Sequence, residues 1–168
     1  MPRKGGGKRR KRRTHVVPAP GTAVSKSPRS LVFRRGKVPA GVRDLVPDIR
    51  RMLMPNTALN LKEKRFNNIR DYVSVSAQLG ISHFLIFSAT DRGPYLRFCK
   101  VPQGPTLTFR LVEYSLAADV RSVHRRPVSL QEGDSSHAPL LVLNNFATAE
   151  KKADRNGIAL TAEMFRRS

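Results

Sequence analysis

The spacing of apolar positions divides the chain into helical and extended stretches. Ser30-Leu31-Val32-Phe33-Arg34 is a short apolar run that predicts a strand. Val42, Leu45, Val46, Ile49 and Leu53 then recur at helical spacing. Asp44 is a suitable N-cap for that helix, which would put Pro47 in the first turn, where a missing N–H costs little; Pro55 would end it. Leu61, Phe66, Ile69, Val73 and Ala77 share one broad helical face, predicting a second helix over 61–78. Asn60 would cap it with Glu63 three residues on, and Gly80 would close it.

After Gly80 the period shortens. His83-Phe84-Leu85-Ile86-Phe87 reads as a buried strand, Asp91-Arg92-Gly93 as a turn, and Tyr95 to Val101 as the next strand. Pro102-Gln103-Gly104-Pro105 is a second turn, and Thr106 to Leu111 alternates as a third strand of an antiparallel meander. Gly104, between two prolines, reads as a turn residue rather than a ligand contact. Ser115 would cap a short helix over 116–122, Leu140 to Leu143 would add a further strand, and 158–167 would begin another helix. The expected core includes Phe84, Ile86, Leu107, Phe109, Leu111, Leu141 and Leu143. The fold class is α/β: a short, mostly antiparallel sheet packed by helices.

Charge changes the picture at the N-terminus. The 168 residues carry 32 Lys/Arg against 12 Asp/Glu, a formal net charge of +20. Residues 1–43 hold 14 of those bases and no acid, and Lys8, Arg9, Arg10, Lys11, Arg12 and Arg13 form an unbroken run. Like charges without acidic partners disfavour compact structure, so residues 1–26 are expected to be a disordered basic arm. Flexible Lys/Arg segments neutralise phosphates and release counterions, which points to a nucleic-acid partner. The same run also reads as a nuclear import signal. Lys62, Lys64, Arg65 and Arg70, on the polar side of the helix expected over 61–78, are the second candidate RNA-binding group.

Other chemistry is sparse. The one cysteine, Cys99, excludes an internal disulfide and a Cys-based zinc site, and it reads as a small core residue. The four histidines (15, 83, 124 and 137) stand far apart in unlike contexts and suggest no catalytic constellation. Gly5-Gly6-Gly7-Lys8 lacks the spacing of a phosphate loop. No cofactor, metal or small-molecule substrate is expected. No apolar run approaches the ~20 residues of a membrane helix, and the basic N-terminus has no hydrophobic stretch after it, arguing against a secretory signal.

Several strings occur together: Pro55-Asn56-Thr57-Ala58, Arg65 to Tyr72 (RFNNIRDY), Leu79 to Phe84 (LGISHF), Gly104 to Phe109 (GPTLTF), Tyr114-Ser115-Leu116 and Pro139 to Phe146 (PLLVLNNF). In combination they closely resemble the Peter Pan branch of the Brix-domain proteins. The resemblance implies a non-enzymatic nucleolar factor that binds pre-rRNA and other assembly factors during maturation of the large (60S) ribosomal subunit. It also implies an α/β fold whose two halves look like an anticodon-binding domain. The family domain runs on past the position matching Phe165, so residues 27–168 are expected to be its truncated N-terminal part. The competing reading is a basic nuclear scaffold that binds protein alone, the arm serving as its address. An RNA-modifying enzyme would need a cofactor or metal pocket for which the sequence holds no motif.

Overall fold

The computed structural model describes residues 29–63, 67–127, 140–144, 146 and 152–166, the side chains of the last segment from 156 on. The elements run β1 (Arg29–Arg34), α1 (Ala40–Met52), α2 (Ile69–Leu79), β2 (Ile81–Thr90), β3 (Gly93–Lys100), β4 (Thr106–Arg110), α3 (Ala117–Val123) and α4 (Lys152–Arg166). The sheet order is β1-β2-β3-β4. The β2-β3-β4 meander is antiparallel, as the turn signals predict, and β1 adds to β2 in parallel, the crossover carrying α1 and α2.

The two sides of the sheet bury separate clusters. On one, Val32 and Phe87 pack under Val42, Leu45 and Val46 of α1. On the other, Leu31, Phe33, Phe84 and Ile86 pack under Ile69, Tyr72 and Val73 of α2. Strand alternation forces this division, since neighbours along β1 and β2 point to opposite faces. Helices on both faces explain why β1 and the middle of β2 read as continuous apolar runs. Val32, Val42, Phe33, Phe84 and Phe87 are almost wholly enclosed; each such side chain contributes about 1.5–3 kcal/mol by leaving water.

Several expectations are corrected. α1 starts at Ala40 behind Pro39, four residues before Asp44, so Pro47 sits in the helix interior. There it forgoes one backbone hydrogen bond, against the burial of three apolar side chains on the same helix. α2 begins at Ile69 behind Asn68 rather than at 61. Its start is set by Asp71, whose Oδ2 accepts the Asn68 backbone N–H at 2.8 Å. The Asn60 and Glu63 pair cannot cap a helix because Glu63 is already ion-paired to Arg34 and Arg50. α3 starts behind Leu116, not Ser115, and its first N–H donates to Asp48 Oδ2 of α1 at 2.9 Å. Residues 140–143 form no strand; Leu140, Leu141 and Val142 are exposed and Leu143 is half-buried. A run of apolar residues signals a need for cover, and no strand of the described residues pairs with this one. Of the expected core, Phe84 and Ile86 are buried, while Leu107, Phe109 and Leu111 are half-buried.

Candidate nucleic-acid interface

Of the basic group expected on a helix over 61–78, the two described members stand apart. Arg70 is exposed in the first turn of α2, whereas Lys62 lies in the non-helical segment before it. Lys64, Arg65 and the whole run from Lys8 to Arg13 lie outside the described residues. Arg70 also stands at the wrong end of the helix for a cation, and the neighbouring Asp71 offsets it.

A different basic surface is formed by the sheet. Register places Phe84, Cys99 and Thr106 in one row across β2, β3 and β4, followed by Ile86, Arg97 and Thr108, then Ser88, Tyr95 and Arg110. These rows share the face that α2 covers. The helix covers the apolar β1–β2 half; on β4, Thr106, Thr108 and Arg110 are exposed. No position in the three rows is acidic. Among the described residues neither Arg97 nor Arg110 has an ion-pair partner. Between α2 and this half runs a groove of about 280 Å³ lined by Val73, Phe84, Ile86, Arg97, Cys99 and Lys100, of which Phe84 and Ile86 are almost wholly enclosed. Cys99 is half-buried, packs against the cluster of Leu31, Phe33, Phe84 and Ile86, and lines this groove. The signal for this surface was present in the alternation of Thr106, Thr108 and Arg110 against Leu107 and Phe109.

The opposite face of the same strands is apolar and aromatic. His83 stacks on Phe98 with ring centroids 5.3 Å apart, and Phe165 of α4 stacks on Phe98 at 5.6 Å. Burial, and secondarily the positive charge of Lys100, holds the His83 imidazole below its ordinary pKa of 6.5. Its Nδ1 lies 2.8 Å from Ser82 Oγ. A neutral, buried ring stacked on phenylalanine is a packing element. Among the described residues no cluster of three or more His, Cys, Asp or Glu is arranged to hold a metal, and no helix is long and apolar enough to cross a membrane.

A second cavity of about 460 Å³ lies between β1, the 55–61 segment and α2, lined by Leu31, Pro55, Thr57, Tyr72, Val75 and Leu79. Its walls are mostly apolar, and its two charged lining residues, Arg29 and Asp71, carry opposite signs.

Comparison with known proteins identifies the fold. The Brix domain family model matches residues 36–167, most of the chain. The chain belongs to the Brix-domain family. Its relatives place it in the Peter Pan branch. It is 44% identical over 125 residues to the Peter Pan-like protein of Arabidopsis thaliana, covering 74% of this chain and 36% of that protein. It is 35% identical over 152 residues to ribosome biogenesis protein SSF1 of Saccharomyces cerevisiae, covering 88% of this chain and 33% of the relative. It is 37% identical over 124 residues to protein Peter pan of Drosophila melanogaster, covering 74% of this chain and 27% of the relative. The chain therefore spans about a third of the length of these Brix-domain relatives or less.

Proposed function

We propose that this Brix-domain chain is a nucleolar ribosome-biogenesis factor that binds large-subunit pre-rRNA and other pre-60S assembly factors and catalyses no reaction. The observation that carries this reading is the Brix match over residues 36–167, together with relatives named for ribosome biogenesis. The charge supports it independently. A chain with a formal net charge of +20 favours a polyanion, and its longest basic run, Lys8 to Arg13, suits sequence-tolerant phosphate contact and nuclear import alike.

The deciding experiment is RNA crosslinking in vivo with sequencing of the bound fragments. Strong enrichment of large-subunit pre-rRNA over other RNA is the expected result. If the chain crosslinks to no RNA while copurifying with assembly factors, the protein-only scaffold reading replaces this one. In vitro, RNA affinity should fall steeply with salt. With about 5 phosphates neutralised on a single strand, each contributes roughly 0.7 to the log–log slope.

A further inference from the structure

We propose that the bare half of the sheet beside α2 is a docking surface for single-stranded RNA. Arg97 and Arg110 take the phosphates, and the groove lined by Val73, Cys99 and Val101 receives an unstacked base. The proposal rests on the RNA reading above and assigns it a folded site, separate from the N-terminal run.

The argument begins with the change of polarity across one face. Leu31, Phe33, Phe84 and Ile86 are sealed by α2, and the next strands present Tyr95, Arg97, Thr106, Thr108 and Arg110. Solvation alone would be met by any polar residues of either sign. This face carries two arginines and no carboxylate. Arg97 sits opposite Thr108, so Arg97 and Arg110 are diagonal neighbours on adjacent strands. Such positions lie about 7–8 Å apart, which lets two flexible side chains engage neighbouring phosphates of one strand. An arginine fork without a competing carboxylate is well suited to phosphate oxygens.

The groove selects single strands. Its volume of about 280 Å³ accommodates a flat heterocycle, and its lining sets apolar Val73, Cys99 and Val101 beside Arg97. A base can enter such a groove only when it is splayed out of its stack, as in loops and single-stranded segments. Tyr95, half-exposed on the same face, adds a ring on which a neighbouring base can stack. An acidic protein segment would use the two arginines and leave the apolar lining and the tyrosine without a role.

The test uses the full chain and a fluorescent 12-nucleotide uridine RNA, titrated by anisotropy at several salt concentrations. Three variants are compared with the parent: Arg97→Gln with Arg110→Gln, an arm variant with Lys8 to Arg13 all changed to Gln, and both sets together. The sheet variant should bind about tenfold more weakly at fixed salt, and its salt slope should drop by about 1.4, two phosphates at roughly 0.7 each. The arm variant should keep binding that the combined variant loses. Melting temperatures establish that each variant is folded. Cys99 supplies a readout in the parent itself, because it is the chain's one thiol and lines the groove. Bound RNA should slow its alkylation by a maleimide at least threefold, and a poly-glutamate peptide should not. This measurement decides the matter if the sheet variant fails to fold.

A sheet variant that binds like the parent, beside an arm variant that binds nothing, would overturn the site and leave the RNA reading standing. Protection of Cys99 by poly-glutamate as strong as by RNA would reassign the face to an acidic protein. Absence of RNA binding in the parent would remove both the site and the reading beneath it.

Discussion

The side chain of Arg50, from α1, caps the outer edge of β1 by donating to the backbone carbonyl of Val32 from both Nε, at 3.0 Å, and Nη2, at 2.8 Å. β1 is the first strand in the sheet order, and its outer carbonyls would otherwise face no partner. Two residues earlier the same edge is met by backbone, Ser30 N–H donating to Asn56 O at 2.8 Å. Arg50 is nearly enclosed, and the Glu63 carboxylate neutralises it. One buried guanidinium thereby closes a strand edge and holds the 61–63 segment against the sheet.

Replacing Arg50 with Met should therefore be costly. It strands the Val32 carbonyl and leaves Glu63 with the more exposed Arg34 as its remaining ion-pair partner. Breaking one side of a buried pair typically costs about 3–5 kcal/mol. Adding Glu63→Gln should recover part of that loss, since no largely buried carboxylate then depends on the exposed Arg34 alone. Urea denaturation of the single and double variants checks both the loss and the recovery. A double variant less stable than either single one would contradict this account.

Two phenylalanines separate the sealed core from the sheet margin. Phe33 is 2% exposed, with Tyr72 stacked on it at 4.3 Å and Phe84 edge-on at 5.7 Å. Phe33→Ala should cost about 3–5 kcal/mol, by lost transfer energy and the cavity left behind. Phe109 is half-buried, its ring 6.2 Å from that of Phe165. Phe109→Ala should cost about 1–2 kcal/mol, in proportion to the smaller area withdrawn from water. Thermal melting of the two variants should rank them in this order. Equal losses would mean that α4 seals the β4 margin more completely than the half-burial of Phe109 implies.

The four strands of the sheet and their turns were legible because short apolar runs, the alternation of Thr106 to Leu111 and Gly/Pro turns are local signals; the apolar run over 140–143 gave the same signal without forming a strand. The helix starts were less so, because caps compete. Asn60 with Glu63 and Asn68 with Asp71 have the same local form, and the choice between them is made by Arg50, a residue distant in sequence. Arg50 itself follows Val46 by one helical turn and so extends the apolar stripe of α1, yet its charge hides it among surface positions. The basic sheet face was half legible. Alternation puts Thr106, Thr108 and Arg110 on one side of β4, but that Arg97 joins them depends on strand register. That α2 leaves this face uncovered among the described residues depends on where the helix lies.

Gly104 has a structural task that the turn signal anticipated. Its N–H donates to Lys100 O at 3.1 Å, closing the β3–β4 turn. A Cβ on this residue would stand 2.9 Å from the same Lys100 oxygen and press on the Lys100 side chain as well. The oxygen belongs to the backbone of β3, so relief requires the turn to move. Gly104→Ala should destabilise by about 1–3 kcal/mol, the usual range for forced overpacking. It should also raise hydrogen exchange at the amides of the turn. Unchanged exchange at Gly104's neighbours and an unchanged melting point would refute the close packing described.

The last prediction concerns acid. His83 is buried, stacked on Phe98, and held below its ordinary pKa of 6.5, first by burial and then by Lys100. In the unfolded chain the ring regains its ordinary pKa, so between the two values the unfolded state binds more protons. Stability must then rise with pH across that interval. The contribution is fully present above about pH 6.5 and is lost as pH falls through the lower, folded-state value. Carboxylates ordinarily titrate near pH 4, so a melting series between pH 7 and pH 5 isolates the histidine from most of them. The control is His83→Phe, which keeps a ring on Phe98 and removes the proton site. The parent's melting temperature should fall more than the variant's over this interval. Parallel curves would mean that His83 takes up its proton while folded, against the burial and the neighbouring lysine charge that disfavour it.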